Sequence, residues 1–412
     1  MPMLLIQNAM IHDAVRETPF LGAVLIRGGK IEYVHSGQVI DPQALINSRV
    51  SDFSCSPTPD TSPKNADSLE ILDAEGLELW PGFVDAHSHL GLFGSGIGYE
   101  GSDGNELNDV LTPHLRAVDG FNPFDPAVEK ALRGGVTTAA VGPGSANVIG
   151  GTFMAVRTFG KRVDSMVLKE TVAMKCAFGE NPKRVYREKT ISSRMTTSAI
   201  FRDALFRARD YLKRLEAAEG DTSKAPPFDI RLHSLLPVLR REIPLKAHAH
   251  QTNDLFNALR IAREFDLKIT LEHVTEGHLI ADELAKENVP LAVGPTLGHP
   301  TKFELQHKCF ETARILTEAG CSVSIITDAP VIPQEMLPFC AGLAIRAGMT
   351  PFDALKAITI NPARHIGLED RLGSIEPGKD ANLVLSKGSV FELGTKILKV
   401  FLEGKIAAEN SD

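Results

Sequence analysis

Cysteine is scarce in this 412-residue chain, and what is present does not pair. The five residues (Cys55, Cys176, Cys309, Cys321, Cys340) are odd in number and scattered, with no Cys-x-x-Cys. That excludes a cysteine zinc site and a disulfide-stapled scaffold, and reduced thiols in a cytoplasmic protein are expected. No apolar run reaches the length of a membrane span, and "MPMLLIQNAMIHDAV" at the N-terminus lacks a charged n-region and a cleavage site. No block of like charges occurs, and the net charge is −8. Neither nucleic acid nor an anionic membrane surface is therefore an expected partner. With 43% hydrophobic and 23% charged residues, the composition is that of a globular protein. The length suits one large barrel-type domain and a smaller one.

The chain ends resemble each other and differ from the middle. "MLLIQNAMI", "GAVLIRGGKIEYV" and "LEILDAEGLELW" read as short strands, and "GSIEPGKDANLVLS" and "KILKVFLEGKIA" resume the pattern near the C-terminus. Residues 1–80 and 366–412 are expected to build one small β domain. Within it, 41–70 holds the Ser/Pro/Asp-rich "DFSCSPTPDTSPKNADS" and reads as an exposed insertion. In residues 81–365, short apolar runs alternate with helical patterns: "GFVDAHSH", "GVTTAAVG", "VAMKCAFG", "IPLKAHAH", "KITLEHV", "VPLAVGP" and "CSVSIITD". "TFMAVRTF" is the candidate for an eighth strand. Helices are expected over "IFRDALFRARDYLKRLEAAEG", over "NDLFNALRIAREFD" with Asn253 or Asp254 as cap, and over "TPFDALKAITINPARHIG" with Thr350 as cap. Apolar strands alternating with helices imply a parallel sheet covered on its faces, and the count favours a closed (β/α)₈ TIM barrel.

The polar residues sit where those strands end. His87 and His89, Lys175, His248 and His250, His273, and Asp328 each terminate an apolar run. Catalytic groups of a parallel barrel gather at this C-terminal face. Residues i and i+2 of a strand share a face, so His87 and His89 can present two imidazoles to one cation, as zinc prefers. A lone histidine at a strand end is more often simply hydrogen-bonded. Several strand ends carrying His, Lys and Asp together point to a metal site.

These segments resemble the metal-dependent amidohydrolase superfamily, in particular its imidazolonepropionase-like members. The resemblance is carried by "PGFVDAHSHLGLF", "GGVTTAAVGPGSANVIGG", "PLKAHAHQTNDLFNALRIAREF", "LEHVTEGH", "ITDAPVIP" and "TINPARHIGLEDRLGSIEPGKDANLVL". It implies a TIM barrel beside a β-sandwich made of both termini. It also implies one or two divalent ions, hydrolysis of a C–N bond in a small molecule, and a homo-oligomer. His87, His89, His248, His273 and Asp328 match the ligand positions, with His250 competing with His248 and otherwise placed to contact substrate. "MKCAFGENP" is similar to the isoaspartyl dipeptidase pattern around a carboxylated lysine, which implies that Lys175 bridges two ions; Glu170 is the rival bridge. Zn²⁺ suits such ligands, and Mn²⁺, Fe²⁺ or Co²⁺ can occupy them.

In that scheme the metal activates a water, Asp328 takes its proton, and His250 or His273 steadies the oxyanion. Lys183 and Arg184 in "GENPKR" are the cations for a substrate carboxylate. Gln251 follows "HAH" where an arginine is expected, and Ala329 follows Asp328 where a histidine is expected. These departures strip the substrate rim, so the family's substrates do not transfer directly, and an impaired branch is an open alternative. A deaminase of the same superfamily would need a glutamate beside the fifth-strand histidine, and "HAHQTND" has none.

Overall fold

The structure is a computed structural model that describes residues 3–38, 69–94 and 98–410. It divides into two compact units, Met1–Gly82 with Glu369–Asp412, and Phe83–Leu368.

The first unit is one mixed sheet. Its strands are β1 (Met3–Ile11), β2 (Phe20–Arg27), β3 (Lys30–Ser36), β4 (Leu69–Asp73) and β5 (Glu78–Pro81), followed from the other chain end by β14 (Leu383–Lys387), β15 (Lys396–Leu402) and β16 (Lys405–Glu409). Their order is β16-β15-β14-β5-β1-β2-β3, with β4 also paired to β1. Alternation along β1 and β2 fills both faces. Leu4, Ile6, Val24 and Ile26 join one apolar cluster, while Leu5, Ala23 and Leu25 form another. The β2–β3 hairpin turns on Gly28 and Gly29, both left-handed (φ 58° and 84°), as a two-residue turn matching the strand twist demands. Of the insertion read at 41–70, residues 41–68 lie outside the described residues. Leu69 and Glu70 instead open β4.

The second unit is the barrel. Its strands are β6 (Phe83–Ser88), β7 (Val136–Val141), β8 (Ile149–Arg157), β9 (Val167–Ala177), β10 (Leu245–Ala249), β11 (Ile269–His273), β12 (Leu291–Val293) and β13 (Val323–Ile325). They neighbour one another in chain order, so the eight expected strand segments all enter one TIM-type sheet. The expected all-parallel order fails at one strand. β8, the "TFMAVRTF" segment, runs antiparallel to both β7 and β9. The reason is connection length: residues 142–148 and 158–166 are too short for a crossover, and only hairpins can join strands so closely spaced.

Helices pack outside. They include α1 (Glu180–Val185), α2 (Arg194–Ala217), α3 (Thr252–Phe265), α4 (Pro351–Ala357) and α5 (Ile360–His365). Helix α2 starts earlier than its apolar periodicity suggested, because the Ser193 hydroxyl caps it by accepting from Thr196 N. Neither Asn253 nor Asp254 caps α3. Asp254 lies inside the first turn, where its carboxylate accepts from Arg194 Nε at 2.9 Å. Thr350 does cap α4, but the expected long helix breaks before α5, since Pro362 has no N–H to give to residue 358.

The ladder does not pair β13 with β6; a side chain spans that seam. Asp85 of β6 is fully buried, and its Oδ2 accepts from Thr327 N (3.1 Å), Thr327 Oγ1 (2.5 Å) and Gln334 Nε2 (2.8 Å). Burial pushes its carboxyl up to about 7 against the pull of these donors. Asp85→Ala orphans these donors at once. We expect a loss of about 3 kcal/mol of unfolding free energy, read from the denaturant midpoint at unchanged slope. A loss below about 1 kcal/mol would show that the seam is held by something else.

Candidate metal centre

Strand register brings the polar residues together. β9 and β10 pair Lys175 with Lys246, and β10 and β11 pair His248 with Glu272 and Ala249 with His273. His87, His89, Lys175, His248, His250 and His273 are all buried, and the Asp328 side chain is 16% exposed. His87 Nε2 lies 3.0 Å from Lys175 Nζ and 3.6 Å from Asp328 Oδ1, and His89 Nε2 lies 3.2 Å from that same oxygen. The His248 ring centroid is 4.7 Å from that of His250 and 4.3 Å from that of His273.

His273 reaches this cluster through an irregularity. A regular strand would turn it away from the face of Glu272. Left-handed backbone at His273 (φ 75°) and Val274 (φ 47°) breaks the alternation, and Asp328 (φ 54°) is held the same way. Such conformations are costly in non-glycine residues and gather at functional sites.

The rings are oriented from behind. His89 Nδ1 donates to Gly142 O at 2.7 Å, His273 Nδ1 to Gly294 O at 2.8 Å, and His87 Nδ1 to Glu272 Oε2 at 2.8 Å. Each proton placed on Nδ1 leaves a lone pair on Nε2, which is how a ligating imidazole is prepared. Glu272 is fully buried and also accepts from His365 Nε2 (2.9 Å), Thr270 Oγ1 (2.6 Å) and the Lys246 ammonium (2.8 Å). Burial alone would raise its pKa, but Lys246 and His365 outweigh that and hold it well below the carboxylate range.

These residues fit a divalent ion. The ligand atoms of His87, His273 and Asp328 lie within 4.8 Å of one another, as do those of His248, His250 and His273. The buried Nε2 of His273 has no hydrogen-bond partner among the described residues. A buried polar atom without a partner is expected to meet something beyond the chain.

Of the remaining candidates, Glu170 falls elsewhere: its side chain is 62% exposed and pairs with Arg116 at 3.2 Å, because it lies on the early part of β9 that runs along the surface. Lys183 is half-buried and Arg184 exposed on α1, and neither makes an ion pair among the described residues. Glu272, Lys246, His365 and Glu304 were not singled out from sequence. Only the adjacency of Glu272 to His273 in "LEHV" offered a signal, and period-two alternation argued against it.

Burial pushes His273 down to about 4 and lowers His87, His248 and His250 well below 6.5. Depressed imidazoles bind fewer protons folded than unfolded, so stability is present above the unfolded value of 6.5 and lost as pH falls through the folded one. Metal-free protein should lose about 3 kcal/mol through His273 alone as pH falls from 6.5 to 4. Denaturant midpoints across that window check this, and a flat profile would contradict the neutral, buried cluster.

Comparison with known proteins fits this geometry. Residues 79–407 match the sequence model of the amidohydrolase family. An amidohydrolase, tasK of Hapsidospora irregularis, is 29% identical over 81% of this chain, although the match spans only 37% of that longer protein. The imidazolonepropionase of Symbiobacterium thermophilum is 27% identical over 76% of each chain. The solved amidohydrolase of Thermotoga maritima MSB8 is 40% identical, with a TM-score of 0.89 over 99% of this chain and 100% of that one.

Proposed function

The chain belongs to the amidohydrolase family and is a hydrolase of carbon–nitrogen bonds, and on that premise we propose that it is metal-dependent. Its substrate would be a small amide, cyclic amide or dipeptide-like molecule. The observation that supports this most is the convergence of buried, Nδ1-anchored imidazoles with Asp328. His87, His89 and Asp328 would hold one ion and His248 and His273 a second, with Lys175 between them as a carbamate. A divalent ion there, zinc suiting this donor set, supplies a more acidic water and polarises the scissile carbonyl.

The chain's own residues move the protons. Burial favours the protonated form of Asp328, but its surroundings at the strand end outweigh that and hold the carboxyl below its usual range. Its partial exposure at the strand end lets it accept a proton from the attacking water and return it to the leaving nitrogen. Lys175 is pushed down to about 8, chiefly by burial, so a share of it is free amine near neutral pH. That amine attacks CO₂: the N–C bond forms, a proton leaves, and an anionic carbamate replaces a cation 3.0 Å from His87 Nε2. Lys183 and Arg184, lacking carboxylate partners among the described residues, are available to a substrate carboxylate.

The sheet made from both chain ends is read as the family's β-sandwich, supported by apolar clusters on its opposite faces. A cytoplasmic setting agrees with the four described cysteines being free thiols. No helix among the described residues is long and apolar enough to cross a membrane.

Elemental analysis of the purified protein, repeated on Lys175→Ala and Asp328→Asn, tests the function. Wild type should carry metal, and Lys175→Ala should hold fewer ions. Asp328→Asn should keep its metal yet lose turnover by about a thousandfold on a panel of dipeptides, N-acyl amino acids and cyclic amides. Metal-free wild type, or an Asp328→Asn variant that still turns over, would refute it.

A further inference from the structure

The loop after β12 carries a carboxylate that the scheme above does not use. Glu304, in the short 3₁₀ turn Phe303–Leu305, is fully buried. A reciprocal pair fixes it: Glu304 Oε2 accepts from Glu180 N at 2.8 Å, and Glu180 Oε2 accepts from Glu304 N at 3.2 Å. The other oxygen, Oε1, lies 3.6 Å from both His248 Nε2 and His250 Nε2. Two ligand atoms of one tetrahedral zinc lie about 3.4 Å apart, given metal–ligand distances of about 2.0–2.1 Å. Glu304 Oε1 therefore stands at ligand spacing from both imidazoles.

A cation already touches that oxygen. The Lys302 ammonium lies 2.5 Å from Glu304 Oε1 and donates to Asn181 Oδ1 at 3.1 Å. Asn181 in turn donates from Nδ2 to Ser145 Oγ at 2.7 Å. A buried carboxylate needs a positive partner, and Lys302 fills that place from the end of a flexible stem.

We propose that Glu304, His248 and His250 form the outer cation locus of the barrel mouth, with Lys302 as a tethered counter-ion that a divalent metal displaces. The assignment rests on the metal-dependent function proposed for the site. It makes His250 a ligand rather than a substrate contact, alongside His248 and His273, whose ligand atoms share the same space. It also gives the loop a regulatory consequence. A lysine that competes with the outer ion weakens that ion relative to the inner one at His87, His89 and Asp328.

Zinc titration of the metal-stripped protein by calorimetry, with bound zinc counted by elemental analysis, tests this without reference to activity. Wild type should show a tight and a weak class. Glu304→Gln, which preserves shape and the acceptor for Glu180 N, should weaken the weak class about tenfold or more and leave the tight class unchanged. Lys302→Met should tighten the weak class by a similar factor and enlarge the zinc-dependent rise in Tm. Should Glu304→Gln fail to fold, Lys302→Met decides alone. Two classes that neither variant shifts would overturn this assignment and leave the metal-dependent function standing. A wild type that binds no zinc would overturn both.

Discussion

The proton that His87 gives from Nδ1 to Glu272 determines what the barrel mouth can do. An imidazole has one hydrogen to place when neutral, and placing it on the inner nitrogen leaves a lone pair on the outer one. Glu272 can sit fully buried only because Lys246, His365 and Thr270 share its charge. Gly142 and Gly294 carbonyls do for His89 and His273 what Glu272 does for His87. Three Nε2 lone pairs are thereby aimed into one buried space beside Asp328. Buried lone pairs facing a carboxylate suit a cation.

The scaffold explains how distant segments agree on that space. Parallel pairing from β9 through β13 aligns strand ends at one level, and the left-handed turns at His273 and Asp328 bring in residues that alternation would exclude. The reversed strand β8 costs nothing at this face, because its hairpins keep the order of neighbours intact. Asp85, two residues before His87 on the same strand, bridges the one seam without a ladder. Stability and function thus draw on adjacent residues of "DAHSH", and damage to the seam is expected to reach the ligands.

Much of this was legible in the chain. His-x-His after an apolar run, "HAH", "LEH" and "ITD" are local patterns, and each projects a side chain from a strand end, so they could be read without knowing how strands pair. What stayed hidden depends on partners far along the sequence. Glu170 sits near Lys175 in sequence, but where β9 emerges from the barrel could not be inferred. Glu272 and Lys246 read as ordinary strand residues, and only packing shows that they support His87. Glu304 lies in a loop whose path follows no periodicity. The reversal of β8 could have been anticipated from its short connections, since no crossover fits them. Asp254 looked like a helix cap by type, yet the partner Arg194 comes from another helix.

The central claim is that these imidazoles and Asp328 enclose a divalent ion. X-ray absorption at the metal edge of the protein as purified tests it most directly. A metal-centred site gives a first shell of nitrogen and oxygen at about 2.0–2.2 Å with the outer scattering of several imidazoles. An absent edge, a sulfur shell, or a shell of oxygen alone would contradict it.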